Sequence, residues 1–239
     1  MPETAAYQAE LKRTREAVAR AVALHWNDLP DYRDAQVQAF VEKITPIVLA
    51  GQEQAVALTD AYMSQVLGTE PLGLDYASLT GAAVRNGVPP EVVYARPFTT
   101  VWTSINKIGY AQAVTKGLNR LMSTADMDVA MSARDASVAY AQRSGRVAGF
   151  IRVAEGGCCD FCQRINGARV HSSTPAPLHN HCGCTVKPFE YGSPLASKSF
   201  TSFRSGSVFK DAAIHTHGEM GPMITNAANH FTSEGDLEG

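Results

Sequence analysis

The sequence predicts a mainly α-helical protein of the α+β class, in which long amphipathic helices precede a small β-rich Cys/His module and an extended C-terminal tail. Two observations predict this class. Apolar residues recur at helical spacing through most of 1–149. All five cysteines, and three of the seven histidines, fall within residues 158–184. With 239 residues, 45% of them apolar, the chain is long enough to bury a core.

Residues 1–70 are predicted to form an N-terminal helical segment. Its first apolar stripe ends at Trp26, and a break at 27–30 separates it from a second stripe. Pro46 lies inside the second stripe and is expected to kink that helix, because proline lacks an N–H and clashes with the preceding turn. Helical pattern then resumes at Gln52 and continues to about Leu67.

Residues 71–149 are predicted to form a helical body, separated from the first segment by a linker at 68–73. Apolar residues at helical spacing run from Phe98 to Leu121, and an Ala-rich helix is predicted over 125–144. The charged residues of this stretch are interpreted as solvated or capping, with docking to an acidic partner or to packaged DNA as the alternative for the arginines. These residues are Arg134, Arg143, Arg146, Asp126, Asp128 and Asp135.

The pattern changes near Gly149. Short strands are predicted at 150–154, 168–171 and 184–188, so 150–190 is interpreted as the Cys/His module. Residues 191–239 are rich in Ser and Gly and have weak periodicity, which predicts an extended tail. His215 and His217 in that tail are interpreted as solvated.

Net charge and targeting patterns restrict the function. The formal charge of −2 argues against a protein that coats nucleic acid, since neutralising phosphates requires clustered positive charge. The first residues lack a secretory signal pattern, and no apolar run is long enough to span a membrane. We therefore expect no membrane contact and a reducing host cytoplasm, where clustered cysteines bind metal or do chemistry more often than they form disulfides.

The cysteine cluster predicts a metal site. Cys159 and Cys162 form a Cys-x-x-Cys pair, and after sixteen intervening residues a second group of soft ligands begins at His179. A Cys-x-x-Cys turn directs two thiolates at one ion, and a second pair completes a tetrahedron. The candidate ligands of a structural zinc ion are Cys159, Cys162, His179, Cys182 and Cys184. Cys158 is interpreted as a spare, and only one of the last two cysteines is expected to bind, because they stand two residues apart.

Two other interpretations of the cluster stay open. The thiols could remain reduced and pack together, or form a disulfide in a mature particle. Alternatively, Cys162 could be a nucleophile with His179 or His181 as its base. A reactive cysteine is rarely surrounded by four further thiols, which favours the metal site.

The same residues resemble a known family. Cys159-Asp-Phe-Cys162, then Gly167-Ala-Arg-Val170, then His179-Asn-His-Cys-Gly-Cys184 running into Thr-Val-Lys-Pro188, is similar to the C-terminal motif of the Mu F-like minor head (head morphogenesis) proteins of tailed bacteriophages. The His-x-His-Cys-x-Cys variant resembles versions from phages of actinobacteria. The motif covers about 30 residues, and the family's domain would span roughly 90–190.

The resemblance implies a non-enzymatic virion protein, present in small copy number inside the phage head near the portal. Its implied partners are the portal protein, the major capsid protein or further copies of itself, with weak contact to packaged DNA as a further expectation. Two alternatives remain: a capsid maturation protease, as some similar proteins are labelled, and an internal DNA-contacting or ejected head protein. The sequence lacks a Gly-x-Ser-x-Gly elbow and a His-Glu-x-x-His helix, which disfavours the protease.

Overall fold

The computed structural model describes residues 2–179, 181–201, 208–209 and 212–226. A largely helical N-terminal part is followed by small antiparallel sheets that carry the Cys/His cluster, which confirms the predicted fold class. The elements are helices α1 (Pro2–Asn27), α2 (Asp34–Leu67), α3 (Pro90–Ile108), α4 (Tyr110–Ser144) and α5 (Asp160–Arg164), with 3-10 turns at Tyr76–Ser78 and Gly81–Arg85, and strands β1 (Val147–Val153), β2 (Arg169–His171), β3 (Thr185–Glu190), β4 (Val208–Phe209), β5 (Ala212–His217) and β6 (Gly221–Asn226).

Helix boundaries follow backbone chemistry more closely than the apolar pattern does. Helix α2 runs through Pro46 as one helix, so the helical pattern that resumes at Gln52 belongs to the same element. Ile44 and Val48, on either side of the proline, are both buried in the same core, and this burial offsets the lost hydrogen bond. Between α3 and α4 the chain turns at Gly109, whose φ of 83° is readily adopted only by glycine.

The main core lies between α1, α2, α3 and α4. Trp26 and Phe98 are fully buried, and their ring centroids are 4.9 Å apart. Gly117 allows α4 to approach this pair closely: a Cβ atom there would lie 2.8 Å from Trp26 Cζ2 and 2.9 Å from the Pro97 carbonyl oxygen. The packing of this aromatic pair is therefore completed by a small residue on the facing helix.

Buried charge is the main departure from the predicted helical body. Asp128 lies in the middle of α4 and is buried, where capping and solvation were predicted. Arg85 Nη2 lies 2.6 Å from Asp128 Oδ1, and the Tyr94 hydroxyl donates to Oδ2 at 2.5 Å. Arg134 is buried as well, and it donates to the Met220 carbonyl oxygen at 2.8 Å. A buried charge needs such partners, and they come from distant parts of the chain.

The first sheet has the strand order β2-β1-β3 and is antiparallel throughout. Phe150 of β1 pairs with Val170 on one side and with Pro188 on the other. Phe150 and Val186 join the main hydrophobic core, so the sheet packs directly on the helical body. All three strands predicted for 150–190 are present.

Residues 208–226 contain a second antiparallel sheet of order β4-β5-β6, where the sequence predicts an extended tail. Ile214 and Ile224 pair across it and are buried against Phe161 and Ile165 of the Cys/His module. Each strand contributes too few apolar side chains to show a pattern, because most of the core it buries belongs to other elements. Residues 227–239 of the predicted tail lie outside the described residues.

The turn between β5 and β6 is fixed to the helical body by Glu219. Arg96 donates to its two oxygens at 2.5 and 2.8 Å, and Arg85 Nη1 lies 3.4 Å from Oε2. Hydrogen bonding from Arg96 lowers the pKa of Glu219, against the opposing effect of burial, and the charges of Arg96, Arg85 and His217 lower it further.

We expect Glu219→Gln to lower the free energy of unfolding by about 1.5–3 kcal/mol at pH 7, as is typical of hydrogen bonds to charged groups. Because the folded-state pKa lies below the ordinary value of 4.5, this contribution is complete above that pH and is lost as the pH falls through the folded-state pKa. Urea unfolding of both proteins between pH 7 and pH 3 measures it. A difference that stays constant over this range would contradict the assignment.

Candidate metal centre

Two segments bring the soft ligands together in front of β3. Cys159 is the N-cap residue of α5, and Cys162 lies within that short helix, so one turn separates their side chains. His179, Cys182 and Cys184 lie on the loop that leads into β3. The five residues predicted as ligands therefore meet at one place.

His179 joins the two thiols of the Cys-x-x-Cys pair. Its Nε2 atom lies 3.3 Å from Cys159 Sγ and 3.1 Å from Cys162 Sγ. The ligand atoms of these three residues all lie within 4.8 Å of one another. Cys162 and His179 are buried, and Cys159 is half-buried.

A second triple shares one thiol with the first. Cys162, Cys182 and Cys184 are all buried, with their sulfurs within 4.8 Å of one another, and 3.9 Å separates Cys162 Sγ from Cys182 Sγ. Cys158, which the sequence analysis takes as a spare, belongs to neither triple among the described residues, although it hydrogen-bonds to Cys184. Cys162 is thus the central ligand candidate.

The donor set fits a tetrahedral zinc ion. Bonds of about 2.3 Å to sulfur and 2.0–2.1 Å to nitrogen place two sulfurs about 3.8 Å apart, and a sulfur and a nitrogen about 3.5 Å apart. The distance between the sulfurs of Cys162 and Cys182 lies close to the first value, and the distances from Cys159 and Cys162 to His179 lie close to the second. Both triples could therefore hold a metal ion such as Zn²⁺.

Hydrogen bonds among the thiols already favour a shared negative charge. Hydrogen bonds from Cys162 and Cys184 lower the pKa of Cys182 well below its ordinary value. The same interactions raise the pKa of Cys162 to about 12, through its hydrogen bond to Cys182, and raise the pKa of Cys184. Burial opposes ionisation of Cys159, but hydrogen bonds from Cys162 and the charge of His179 lower its pKa overall. Metal binding would deprotonate the remaining ligand thiols.

Two arginines lie against the cluster, and neither was predicted to belong to the site. Arg152 of β1 is 1% exposed, and its Nη2 atom lies 3.5 Å from both Cys162 Sγ and Cys182 Sγ. Arg15 of α1 donates to the Cys182 carbonyl oxygen at 2.5 Å and to both oxygens of buried Asp126. Arg15 therefore ties the cysteine loop to α1 and α4. A charged residue inside the apolar pattern of β1 is the one signal in the sequence that could have drawn attention to Arg152.

The structure places the remaining histidine candidates elsewhere. His181 is exposed, and its Nδ1 atom lies 3.7 Å from Asp126 Oδ2. His217 is buried, where a solvated side chain was predicted, and its Nδ1 accepts from the backbone N–H of Glu219 at 3.1 Å. Neither belongs to the metal-ligand groups found among residues with described side chains.

A thiol–histidine nucleophile is also present geometrically, since Cys162 and His179 are 3.1 Å apart. Cys162, however, has no exposed surface, and His179 is 5% exposed. A nucleophile must reach a substrate carbonyl, so this burial favours a structural use of the pair.

Comparisons with models of protein families, with curated proteins and with solved structures find no match for this chain. Among the described residues, no helix combines the length and the apolar character needed to cross a bilayer.

Proposed function

We propose that this protein is a non-enzymatic minor capsid protein of a tailed bacteriophage, which acts inside the head during assembly or DNA packaging. The observation that carries the proposal is the Cys/His cluster. Its ligand order from Cys159 to Cys184, followed directly by the strand that begins at Thr185, resembles the motif of the Mu F-like head proteins. Cys162 belongs both to the triple with Cys159 and His179 and to the triple with Cys182 and Cys184, which supports treating the motif as one site.

In this proposal the site holds a structural zinc ion through Cys159, Cys162, His179 and Cys182. Cys182 is the fourth ligand because its sulfur contacts Cys162 and because His179 also hydrogen-bonds to it. A bound zinc ion would supply folding free energy to a module whose own apolar cluster is small. Arg15, which donates to the Cys182 carbonyl oxygen, then connects the metal-bound cysteine loop to helix α1 of the helical body.

A group of exposed apolar residues near the junction of α3 and α4 supports a role in assembly. Trp102, Ile108 and Tyr110, which we name the aromatic tip, are exposed at the junction of α3 and α4. The Trp102 indole donates to the Tyr32 carbonyl oxygen at 2.7 Å, so its ring is held in place at the surface. Exposed aromatic residues grouped in this way are typical of protein–protein contacts.

Charges of both signs lie around the aromatic tip. Lys107 and Lys116 are close to it in sequence, whereas Tyr32, whose carbonyl oxygen accepts from Trp102, lies between Asp31 and Asp34. The exposed apolar side chains of the tip, rather than its charge, therefore point to a protein surface as the partner. We propose that the tip binds an apolar surface on the portal protein, the major capsid protein or a second copy of the chain.

Quantitative mass spectrometry of purified, DNA-filled particles tests the proposed function. We expect the full-length chain in small copy number, and we expect Trp102→Ala/Tyr110→Ala to remain folded but to be missing from particles. Tyr191→Ala, which alters an exposed aromatic residue outside the tip, is the matched control and should be incorporated normally. Absence of the wild-type chain from particles, together with uncut capsid protein when its gene is disabled, would support the protease instead.

A further inference from the structure

We propose that Arg152 is the fixed counter-charge of the metal centre, and that it favours a ligand set of three cysteines and one histidine. This inference rests on the zinc site of the proposed function. Its basis is a fully buried guanidinium group that contacts two candidate ligands from the middle strand of the first sheet.

The surroundings of Arg152 require a negative partner. Among the described residues its guanidinium contacts one backbone carbonyl, that of Pro177 at 2.8 Å, and the sulfurs of Cys162 and Cys182. Its Nε atom has no hydrogen-bond partner within this part of the chain. The charged groups that act on it are the thiols of Cys182, Cys184 and Cys162. Arginine stays charged in proteins, and an uncompensated buried charge is strongly destabilising.

The hydrogen-bonded thiols already favour part of that negative charge, and metal binding would complete it by deprotonating every ligand thiol. Zn²⁺ with three thiolates and a neutral histidine carries one net negative charge, which one guanidinium balances. Four thiolates would leave an excess negative charge, and two thiolates with two histidines would leave Arg152 uncompensated. The charge of Arg152 therefore matches three cysteines and one histidine, the composition of the set proposed above: Cys159, Cys162, His179 and Cys182.

Arg152 also contacts the ligand sulfurs directly, in addition to balancing their charge. Arg152 Nη2 lies at the same distance, 3.5 Å, from both sulfurs, so one N–H-bearing nitrogen bridges two corners of the tetrahedron. Hydrogen bonds of this kind orient metal ligands and reduce the negative charge on thiolates. Lysine offers a point charge without the planar fork, and it should replace Arg152 only in part.

Zinc affinity, measured by competition with a chromophoric chelator, tests the inference. We expect Arg152→Gln to bind zinc roughly 10–100-fold more weakly than the wild type, and Arg152→Lys to fall between them. Arg164→Met removes an exposed cation from the same module and should leave the affinity unchanged. The absorption spectrum of the Co²⁺-loaded protein reports whether three sulfurs and one nitrogen still bind.

A second ligand variant distinguishes charge balance from simple packing. Cys159→His removes one thiolate, so Arg152→Gln should improve zinc affinity or folding in that background, although it impairs both in the wild type. Failure of Arg152→Gln to fold alone, with rescue by Cys159→His, would likewise support charge balance; no rescue would overturn it. Equal zinc affinities of the wild type and Arg152→Gln would also overturn it. A wild-type chain that binds no zinc would instead overturn the proposed metal site.

Discussion

Removal of zinc is expected to unfold residues 150–190, with most of the helical signal of α1–α4 retained. The sheet strands of the module pack on the helical body through Phe150 and Val186, but apolar burial around its ligand loops is limited to a small cluster at Phe161 and Ile165. That cluster cannot offset the cost of ordering the loops. Zinc binding to such modules is worth on the order of 10–16 kcal/mol. Anaerobically purified protein should contain about one zinc ion per chain. Hydrogen exchange before and after chelation measures the loss of protection in 150–190.

Cys162→Ser is expected to abolish zinc binding and to reproduce the effect of chelation, because Cys162 belongs to both ligand triples. Cys158→Ser is the matched control, since Cys158 belongs to neither triple within the described residues and should keep its zinc. Metal-free protein with unchanged hydrogen-exchange protection and thermal stability would show that the thiols simply pack. A folded Cys162→Ser protein that leaves a capsid substrate uncut would favour the nucleophile.

Asp128→Ala is expected to lower the free energy of unfolding by about 3–5 kcal/mol, as is typical when one partner of a buried ion pair is removed. Arg85, which donates to Asp128 at 2.7 Å, would keep only the more distant Glu219 carboxylate as a partner. The Tyr94 hydroxyl would also lose its acceptor. Urea unfolding monitored by circular dichroism measures the change.

Two comparisons make the prediction for Asp128→Ala specific. Glu16→Gln removes an exposed carboxylate that pairs with Arg20 and should change the stability by less than about 1 kcal/mol. Arg85→Met combined with Asp128→Ala should be less destabilising than the sum of the two single changes, because no buried charge remains unpaired. If Asp128→Ala costs no more than Glu16→Gln, the buried pair does not have the energetic role that its geometry implies.

Local patterns predicted much of the fold because they are properties of neighbouring residues. Helical spacing of apolar residues identifies the long helices that end near Trp26 and Leu67, and short apolar runs identify all three strands of the first sheet. The ends of helices were harder to predict: α2 continues through Pro46, and Gly109 divides α3 from α4. Burial on both sides of the proline, and a positive φ at the glycine, decide those points.

The burial of charged residues could not be predicted from their neighbours in the sequence. Asp126, Asp128 and Arg134 resemble any polar positions on an exposed helix, yet each is buried and paired in the structure. Their partners include Arg15, more than a hundred residues away from Asp126 along the chain. Sequence spacing carries no information about such a pairing, because the pair forms only when whole helices pack. The same holds for β5 and β6, whose few apolar residues are buried by other elements.

The sequence by itself determined the class of the fold and the chemistry of the candidate site. Helical periodicity and a dense group of soft ligands are both visible in the order of residues, since one reflects backbone geometry and the other the preference of thiols and imidazoles for metal. Only the tertiary structure decided which ligands meet, with Cys162 shared by both triples and Arg152 beside it. These features depend on the free energy of packing distant segments together, and no short stretch of the chain encodes that.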